Sequence, residues 1–299
     1  MRDYSSSLWS SPGATFSPLN FDLEIVRRAL AEDIGTGDVT TLATVPGDAL
    51  ASATMVAREP LVVCGLPLAE AVFHEVSAKI EIERLAHDGG RAREGEILLR
   101  LRGPAGAMLT AERVALNFVQ RLSGVATLTA RFVEAVAGTR AKILDTRKTT
   151  PGLRQLEKYA VACGGGTNHR VGLFDRVLIK DNHLAALRHE PPNAIAAAVR
   201  RAREKYPNLT VEVEADTLEQ VEQAVQAKAD VILLDNMSAE NMRSAVWLIN
   251  GRAQTEASGG VNLASVREIA SAGVDFISIG ALTHSARASD IALDFLAEG

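Results

Sequence analysis

The stretch TVEVEADTLEQVEQAVQAKADVILLDN, Thr210 to Asn236, carries the pattern that decides the fold. TVEVEA is a short β-branched run, LEQVEQAVQA has helical spacing, and DVILLDN is a second apolar run ended by a charge and an amide. Strand, helix and strand in that order form the unit from which parallel sheets are built. Within the first strand Glu212 and Glu214 are two apart and share a face, with Val211 and Val213 on the other. On a strand covered by helices, two inward carboxylates are costly unless cations or a metal face them.

The same grammar runs outward in both directions from Arg140 on. Upstream lie the strand AKILDTR, the helix LRQLEKYAVAC, the strand VLIKDN and the helix NAIAAAVRRAREKY. Downstream lie the helix AENMRSAVWLIN, the strand and loop AQTEASGGV, the helix LASVREIASA and a last strand, DFISIG. Six β units with helices between them imply a parallel sheet, either doubly wound or closed as a barrel. No GxGxxG follows the first strand and no P-loop occurs, so there is no nucleotide fingerprint of either kind. Before Arg140 the elements are grouped. FDLEIVRRALAEDI, Phe21 to Ile34, predicts a helix with Asp22 as its N-cap, and GTGDVTT predicts a turn. Strands follow over Ala51–Arg58, Lys79–Ala86 and Glu96–Arg102, with helices over Leu66–Val76, Ala105–Leu122 and Ala126–Ala137. This is an α+β arrangement.

Composition narrows the function. Of 299 residues, 47% are hydrophobic and 23% charged, which suits a globular chain with a sizeable core. Aromatics at 4% and a net charge of -5 argue against nucleic-acid stacking or general polyanion binding. Cys64 and Cys163 are far apart and lack CxxC spacing, so neither a disulfide framework nor a zinc site is expected. The first twenty residues are rich in Ser and Pro and have no apolar core segment, and they read as a leader rather than a signal peptide. No apolar run reaches the ~18 residues that span a bilayer, so a cytoplasmic location and no membrane partner are expected.

The chemistry gathers just past the strands. There stand Arg147 and Lys148, then Lys180, Glu214, Asp235, Ser258 with Gly259 and Gly260, and Gly280. In α/β barrels that end of the sheet is where functional groups converge. The loop CGGGTNHRVGLFDR adds His169 and Arg170 behind three glycines, and FISIGALTHS adds His284. Glycine loops allow close backbone approach and suit phosphate. Cations for an anionic substrate, two acids with hard oxygens and a phosphate cradle point to Mg2+-assisted group transfer from a phosphorylated donor to a polyanionic acceptor. The residues alone leave that acceptor unidentified.

DIGTGDVTT, ERVALNFVQRLSGVAT, DTRKTTPGLR, KYAVACGGGTNHRVGLFDRVLIKDNH, VEVEA, LLDN, ASGGV and ISIGALTHS occur here in one order. In that order the chain resembles the quinolinate phosphoribosyltransferases from about Asp22 to its end. The resemblance implies an N-terminal α/β sandwich over 21–125 behind a leader of 1–20. It also implies an incomplete α/β barrel over 126–285, with 286–299 packing back on the sandwich. It implies phosphoribosyl transfer from phosphoribosyl pyrophosphate to quinolinate with loss of CO2, giving nicotinate mononucleotide for NAD biosynthesis, with Mg2+ and no prosthetic group. Arg147, His169, Arg170 and Lys180 then face the two carboxylates of quinolinate, joined by Arg113 from the second subunit of a homodimer. A hexamer built from such dimers stays open. Lys148, Ser258, Gly259, Gly260, Gly280 and His284 take the phosphates. Glu214 and Asp235 bind the donor through the metal, and together with Lys180 they are the groups implied in the reaction itself. Two alternatives stand beside this reading: a related transferase for another aromatic acid, and a barrel that only senses phosphorylated metabolites.

Overall fold

The structure, a computed structural model, describes residues 23–297, which divide into two units. One comprises the described residues up to 130 with 156–165 and those from 286 on; the other comprises 131–155 and 166–285.

In the first unit α1 (Glu24–Ile34) follows Leu23; the expected cap Asp22 lies outside the described residues. The predicted turn GTGDVTT contains a short helix, α2 (Val39–Thr44). It forms because the Asp38 carboxylate accepts the Thr41 N–H at 3.0 Å, a side-chain cap that satisfies one of the free donors. Next come β1 (Leu50–Ala57), β2 (Leu61–Val62), α3 (Leu66–Val76), β3 (Glu81–Arg84), β4 (Arg91–Ala92) and β5 (Ile97–Pro104). The C-terminal strand Ile291–Ala297, β1, β5 and β3 form an antiparallel sheet in that order. Ala51, Ala53 and Met55 of β1 and Leu99 and Leu101 of β5 alternate onto the buried face. Helix α3 buries Leu66, Leu68, Ala69, Val72 and Phe73.

Helix α4 (Ala105–Ala135) corrects the expectation of two helices: it is one helix of 31 residues, running straight through Ser123, Gly124 and Val125. Glycine is a poor helix former, by about 1 kcal/mol against alanine, which is why the sequence suggests a break there. Packing supplies the reason for it. A Cβ at Gly124 would stand 1.9 Å from the Arg287 carbonyl oxygen, so only glycine lets that backbone press against the helix.

The second unit is built from β6 (Lys142–Leu144), β7 (Val177–Ile179), β8 (Val211–Ala215), β9 (Val231–Asp235), β10 (Gln254–Ser258) and β11 (Phe276–Ser278). Between β6 and β7 comes α5 (Arg154–Cys163), most of which belongs to the first unit. The later helices are α6 (Asp181–Ala185), α7 (Ala194–Lys205), α8 (Leu218–Gln226), α9 (Ala239–Ile249), α10 (Val266–Ser271) and α11 (Ala281–His284). All six strands are parallel, in the order β6, β11, β10, β9, β8, β7. From β7 to β11 each strand adds on the same side of its predecessor, and β11 comes round to β6. A doubly wound sheet would reverse direction part-way. This is a barrel left open between β6 and β7. β8 and β9 are buried along nearly their whole length, as strands under helices must be. Polar caps hold the helices in place: Asn193 accepts the Ala196 N–H, Thr217 and Gln220 form a capping box, and Ser238 accepts the Asn241 N–H. Among the described residues, no helix is long and apolar enough to cross a membrane.

Candidate active site

Parallel strands bring all six carboxyl ends to one end of the sheet, and a cavity of about 800 Å³ is lined there. Arg147, Lys148, His169, Arg170 and Lys180 contribute its cations. Glu214 and Asp235 contribute acids, and Ser258, Gly259, Gly260, Gly280 and His284 complete the lining. Arg113 is the exception among the residues singled out in the sequence. It is exposed on α4, in the other unit, and is not part of the lining.

The loops are set largely by groups outside the cavity lining. Asp145, fully buried at the end of β6, accepts Asn168 Nδ2 at 2.7 Å and the His169 N–H at 2.8 Å. The Thr167 N–H donates to the Ile143 carbonyl at 2.8 Å, so the chain that leaves the glycine run is anchored beside β6. Arg154 does not line the cavity; it donates to Thr149 Oγ1 at 3.0 Å and to the Val171 carbonyl at 3.1 Å, bracing two loops. The Thr283 hydroxyl donates to the Lys148 carbonyl at 2.7 Å and so holds Lys148 beside the last loop. Gly259 has φ 95°, and a Cβ there would lie 2.1 Å from Asn236 Oδ1. That close approach leaves room for Asn236, whose Nδ2 donates to Asp235 Oδ2 at 2.6 Å. The glycine therefore fixes an acid as well as opening space for a ligand.

Charge is unevenly distributed around the cavity. Arg147 Nε is buried and has no hydrogen-bond partner. Burial lowers the Arg170 pKa, and the neighbouring Arg147 guanidinium lowers it further. Both facts describe cations that an anion would relieve. Lys180 Nζ is 3.4 Å from Glu214 Oε2. Burial raises the Glu214 pKa, and Asp235 adds to that rise against the pull of Lys180. Carboxylate oxygens of Glu214, Asp235 and the unforeseen Asp216 lie within 4.8 Å of one another. Three hard oxygen donors at such spacing fit a divalent cation of the Mg2+ class.

At the base of the cavity is a buried network of which the sequence signals only part. His169 Nε2 lies 3.2 Å from Glu212 Oε2 and 3.4 Å from Glu256 Oε2, and Arg176 lies 3.1 Å from Glu212. All four residues are buried. Burial works to lower the His169 pKa, but Glu256 and Glu212 outweigh it and raise it to about 9. The Arg170 N–H donates to His169 Nδ1 at 2.8 Å, which holds the first ring proton on Nε2 and resists a second. The carboxylates oppose that resistance, and their charge dominates. Burial acts to raise Glu212 too, yet His169 and Arg176 hold it low; Glu256, buried beside Glu212, is pushed up. The spacing of Glu212 in VEVEA foretells its inward face, whereas nothing in QTEAS marks Glu256 as a buried partner.

An open α/β barrel whose mouth sets four cations and two imidazoles against a cluster of acids defines an enzyme site for a small polyanionic substrate. Two family descriptions match: quinolinate phosphoribosyl transferase, N-terminal domain, over residues 38–123, and its C-terminal domain over 125–294. The nicotinate-nucleotide pyrophosphorylase [carboxylating] of Mycobacterium leprae is 46% identical over 91% of this chain and 96% of its own length. A probable enzyme of the same name from Bacillus subtilis is 41% identical over 91% of this chain and 92% of its own. The crystal structure of the Ehrlichia chaffeensis nicotinate-nucleotide pyrophosphorylase superposes with a TM-score of 0.88 at 42% identity, covering 93% of this chain and 99% of that one. The chain belongs to the quinolinate phosphoribosyltransferase family.

Proposed function

We propose that the protein transfers the phosphoribosyl group of phosphoribosyl pyrophosphate to quinolinate and releases pyrophosphate and CO2. The product is nicotinate mononucleotide, a precursor in de novo NAD biosynthesis. One observation carries this reading beyond family membership: the buried, unpartnered Arg147 Nε beside an Arg170 whose charge is already disfavoured. Two guanidinium forks with Lys180 and His169 suit a ligand with two carboxylates, because planar forks bind carboxylates bidentately.

The residues then divide the work. Arg147, Arg170 and Lys180 hold the quinolinate carboxylates and aim the ring nitrogen at the anomeric carbon of the donor, while His169, its ring tied to Glu212, Glu256 and the Arg170 N–H, backs them with positive charge. That nitrogen already carries a lone pair, so ribosyl transfer calls for no general base. Lys148, Ser258, Gly259, Gly260, Gly280 and His284 seat the donor phosphates. Glu214 and Asp235, with Asp216, are the groups that would hold Mg2+, which when bound supplies positive charge to the departing pyrophosphate. Once ribosylated, the ring nitrogen is cationic and stabilises the carbanion left as the adjacent carboxylate departs as CO2. The chain's contribution is chiefly positioning and a cationic pocket.

We assign Arg113 to the quinolinate site of a second subunit in a homodimer; its exposure on α4 and its absence from the lining support that role. A cytoplasmic location fits the two free cysteines. The test is CO2 release from carboxyl-labelled quinolinate. Release that requires phosphoribosyl pyrophosphate is the expected result; donor-independent release or none at all refutes the assignment.

A further inference from the structure

Although ninety-nine positions separate them in the sequence, Cys64 and Cys163 meet in the first unit, where their sulfurs and an Asp88 carboxylate oxygen lie within 4.8 Å of one another. Both are free thiols. Cys64 is fully buried at the foot of α3, and Cys163, half-buried, is the last residue of α5. We propose that Cys64 and Cys163 form a reversible regulatory disulfide under oxidation by a peroxide, and that the closed bond disables the catalytic cavity through the glycine run that follows Cys163.

The roles of the two thiols differ by position. Cys163 is the one a small oxidant reaches, and a hydrogen bond with Cys64 lowers its pKa, which favours the nucleophilic thiolate. Burial raises Cys64, which makes it the resolving partner. In the first step the Cys163 thiolate attacks the peroxide, forming an S–O bond as O–O breaks, so the sulfur is oxidised to a sulfenic acid and hydroxide leaves. In the second, the Cys64 sulfur displaces that oxygen; its proton and the sulfenic OH depart as water, and the S–S bond forms. A metal fits this cluster less well. Asp88 already accepts the Gly65 N–H at 2.9 Å, the Leu66 N–H at 3.1 Å and the Tyr159 hydroxyl at 2.9 Å.

Closing the bond moves one end more than the other. A disulfide needs sulfurs about 2.05 Å apart, so the pair must draw together. Cys64 is clamped, its N–H donating to Ser123 Oγ at 3.0 Å and its carbonyl accepting the same hydroxyl at 3.2 Å. The shift therefore falls on the end of α5. Gly164, next in the chain, has no slack, since a Cβ there would lie 2.4 Å from the Ala126 carbonyl oxygen. Displacement passes along Gly165 and Gly166 to Asn168, His169 and Arg170, the groups that Asp145 must receive in register.

The experiment treats the full-length protein with hydrogen peroxide, then follows free thiols, intact mass, tryptic peptides and turnover of quinolinate. Expected are loss of both thiols, one cross-linked peptide joining Cys64 to Cys163, and a fall in kcat/KM of about tenfold, within the ~10²-fold that a misplacement on the order of 1 Å can cost. Dithiothreitol should restore both thiols and activity. Cys163→Ser, at the half-buried end, should keep its basal activity and become insensitive to peroxide; Cys64→Ala is a second variant for the same readout. Oxidation to sulfinic acid without a cross-link overturns the proposal, as does a co-purifying zinc ion that a chelator must remove before the thiols titrate. A cross-linked protein with unchanged kcat/KM overturns the regulatory role.

Discussion

Replacing His169 with alanine would remove the cation that separates two buried carboxylates. His169 is 7% exposed, and Glu212 and Glu256 are more deeply buried still. Lifting the ring from its ordinary 6.5 to about 9 corresponds to roughly 3 kcal/mol, at about 1.36 kcal/mol per pH unit. Removing one partner from a buried ion network costs about 3–5 kcal/mol, because the remaining charges stay desolvated and unpaired. At about 2 °C per kcal/mol for a chain of this size, His169→Ala should melt some 6 to 10 °C below the unmodified protein at pH 6.5. The pH dependence has a definite sign. A pKa raised in the folded state gives stability that is complete below about 6.5 and is lost as pH rises through about 9. The gap between the two proteins, followed by thermal unfolding, should therefore narrow between pH 6.5 and 9. Adding Glu256→Gln to the His169→Ala protein should recover part of the loss, since burial and Glu212 already disfavour charge on Glu256. A variant that melts within 1 °C of the parent, with the same slope against pH, would refute the reasoning.

Quinolinate differs from nicotinate by one carboxylate, so the intact enzyme should reject nicotinate by ~10⁴-fold because its cations would be left unpaired. Arg147→Ala should damage quinolinate turnover far more than nicotinate turnover; equal kcat/KM for the two acids in the unmodified enzyme would sink the dicarboxylate assignment. Activity should vanish in EDTA and return with Mg2+ or Mn2+, and full turnover in chelator would remove Glu214, Asp216 and Asp235 from the metal role. Arg113→Ala and Lys180→Ala should each be inactive alone and regain activity when mixed, because some mixed dimers hold one intact site; no recovery despite proven subunit exchange places Arg113 outside the partner's site. Gly124→Ala should cost about 1–3 kcal/mol by overpacking against the Arg287 carbonyl, read as a lowered melting temperature, and no loss would show that the helix yields there.

The alternation of parallel strands and helices is legible because its evidence is local, whereas the choice between a doubly wound sheet and a barrel rests on strand order, which no local period carries. Each strand and helix of the second half carries its own period, and the polar groups past the strands follow from parallel direction alone. What escaped depends on neighbours distant in the chain. Ser123 and Gly124 read as a helix end because propensity cannot reveal that Arg287 presses there. Asp38 shows the converse: its place before Val39 is an ordinary cap signal, outweighed by the glycines around it. Asp216 lies in a loop, where no periodicity says which way a carboxylate points. Glu256 sits among small polar residues whose buried face becomes evident only when β10 is set between β9 and β11. Spacing does not pair the two cysteines, because they meet where Asp88 ties Gly65 and Leu66 to Tyr159 of α5.

The antiparallel sheet has a consequence for synthesis. Its first strand, β1, lies against the last strand of the chain, with Ala57 opposite Ile291 and Ser52 opposite Leu296. A chain emerging from the ribosome thus exposes β1 as an unprotected sheet edge until residues 291–297 have been made, and exposed edges invite pairing with other chains. The barrel waits similarly, because β6 has no sheet neighbour among the named strands until β11 arrives. The second unit receives its last residue, Ser285, before the first unit receives its closing strand, so the usual order in which an amino-terminal domain folds first and shelters the rest does not apply. Loss of even the final strand during translation or by proteolysis would leave β1 open while sparing every residue that lines the cavity.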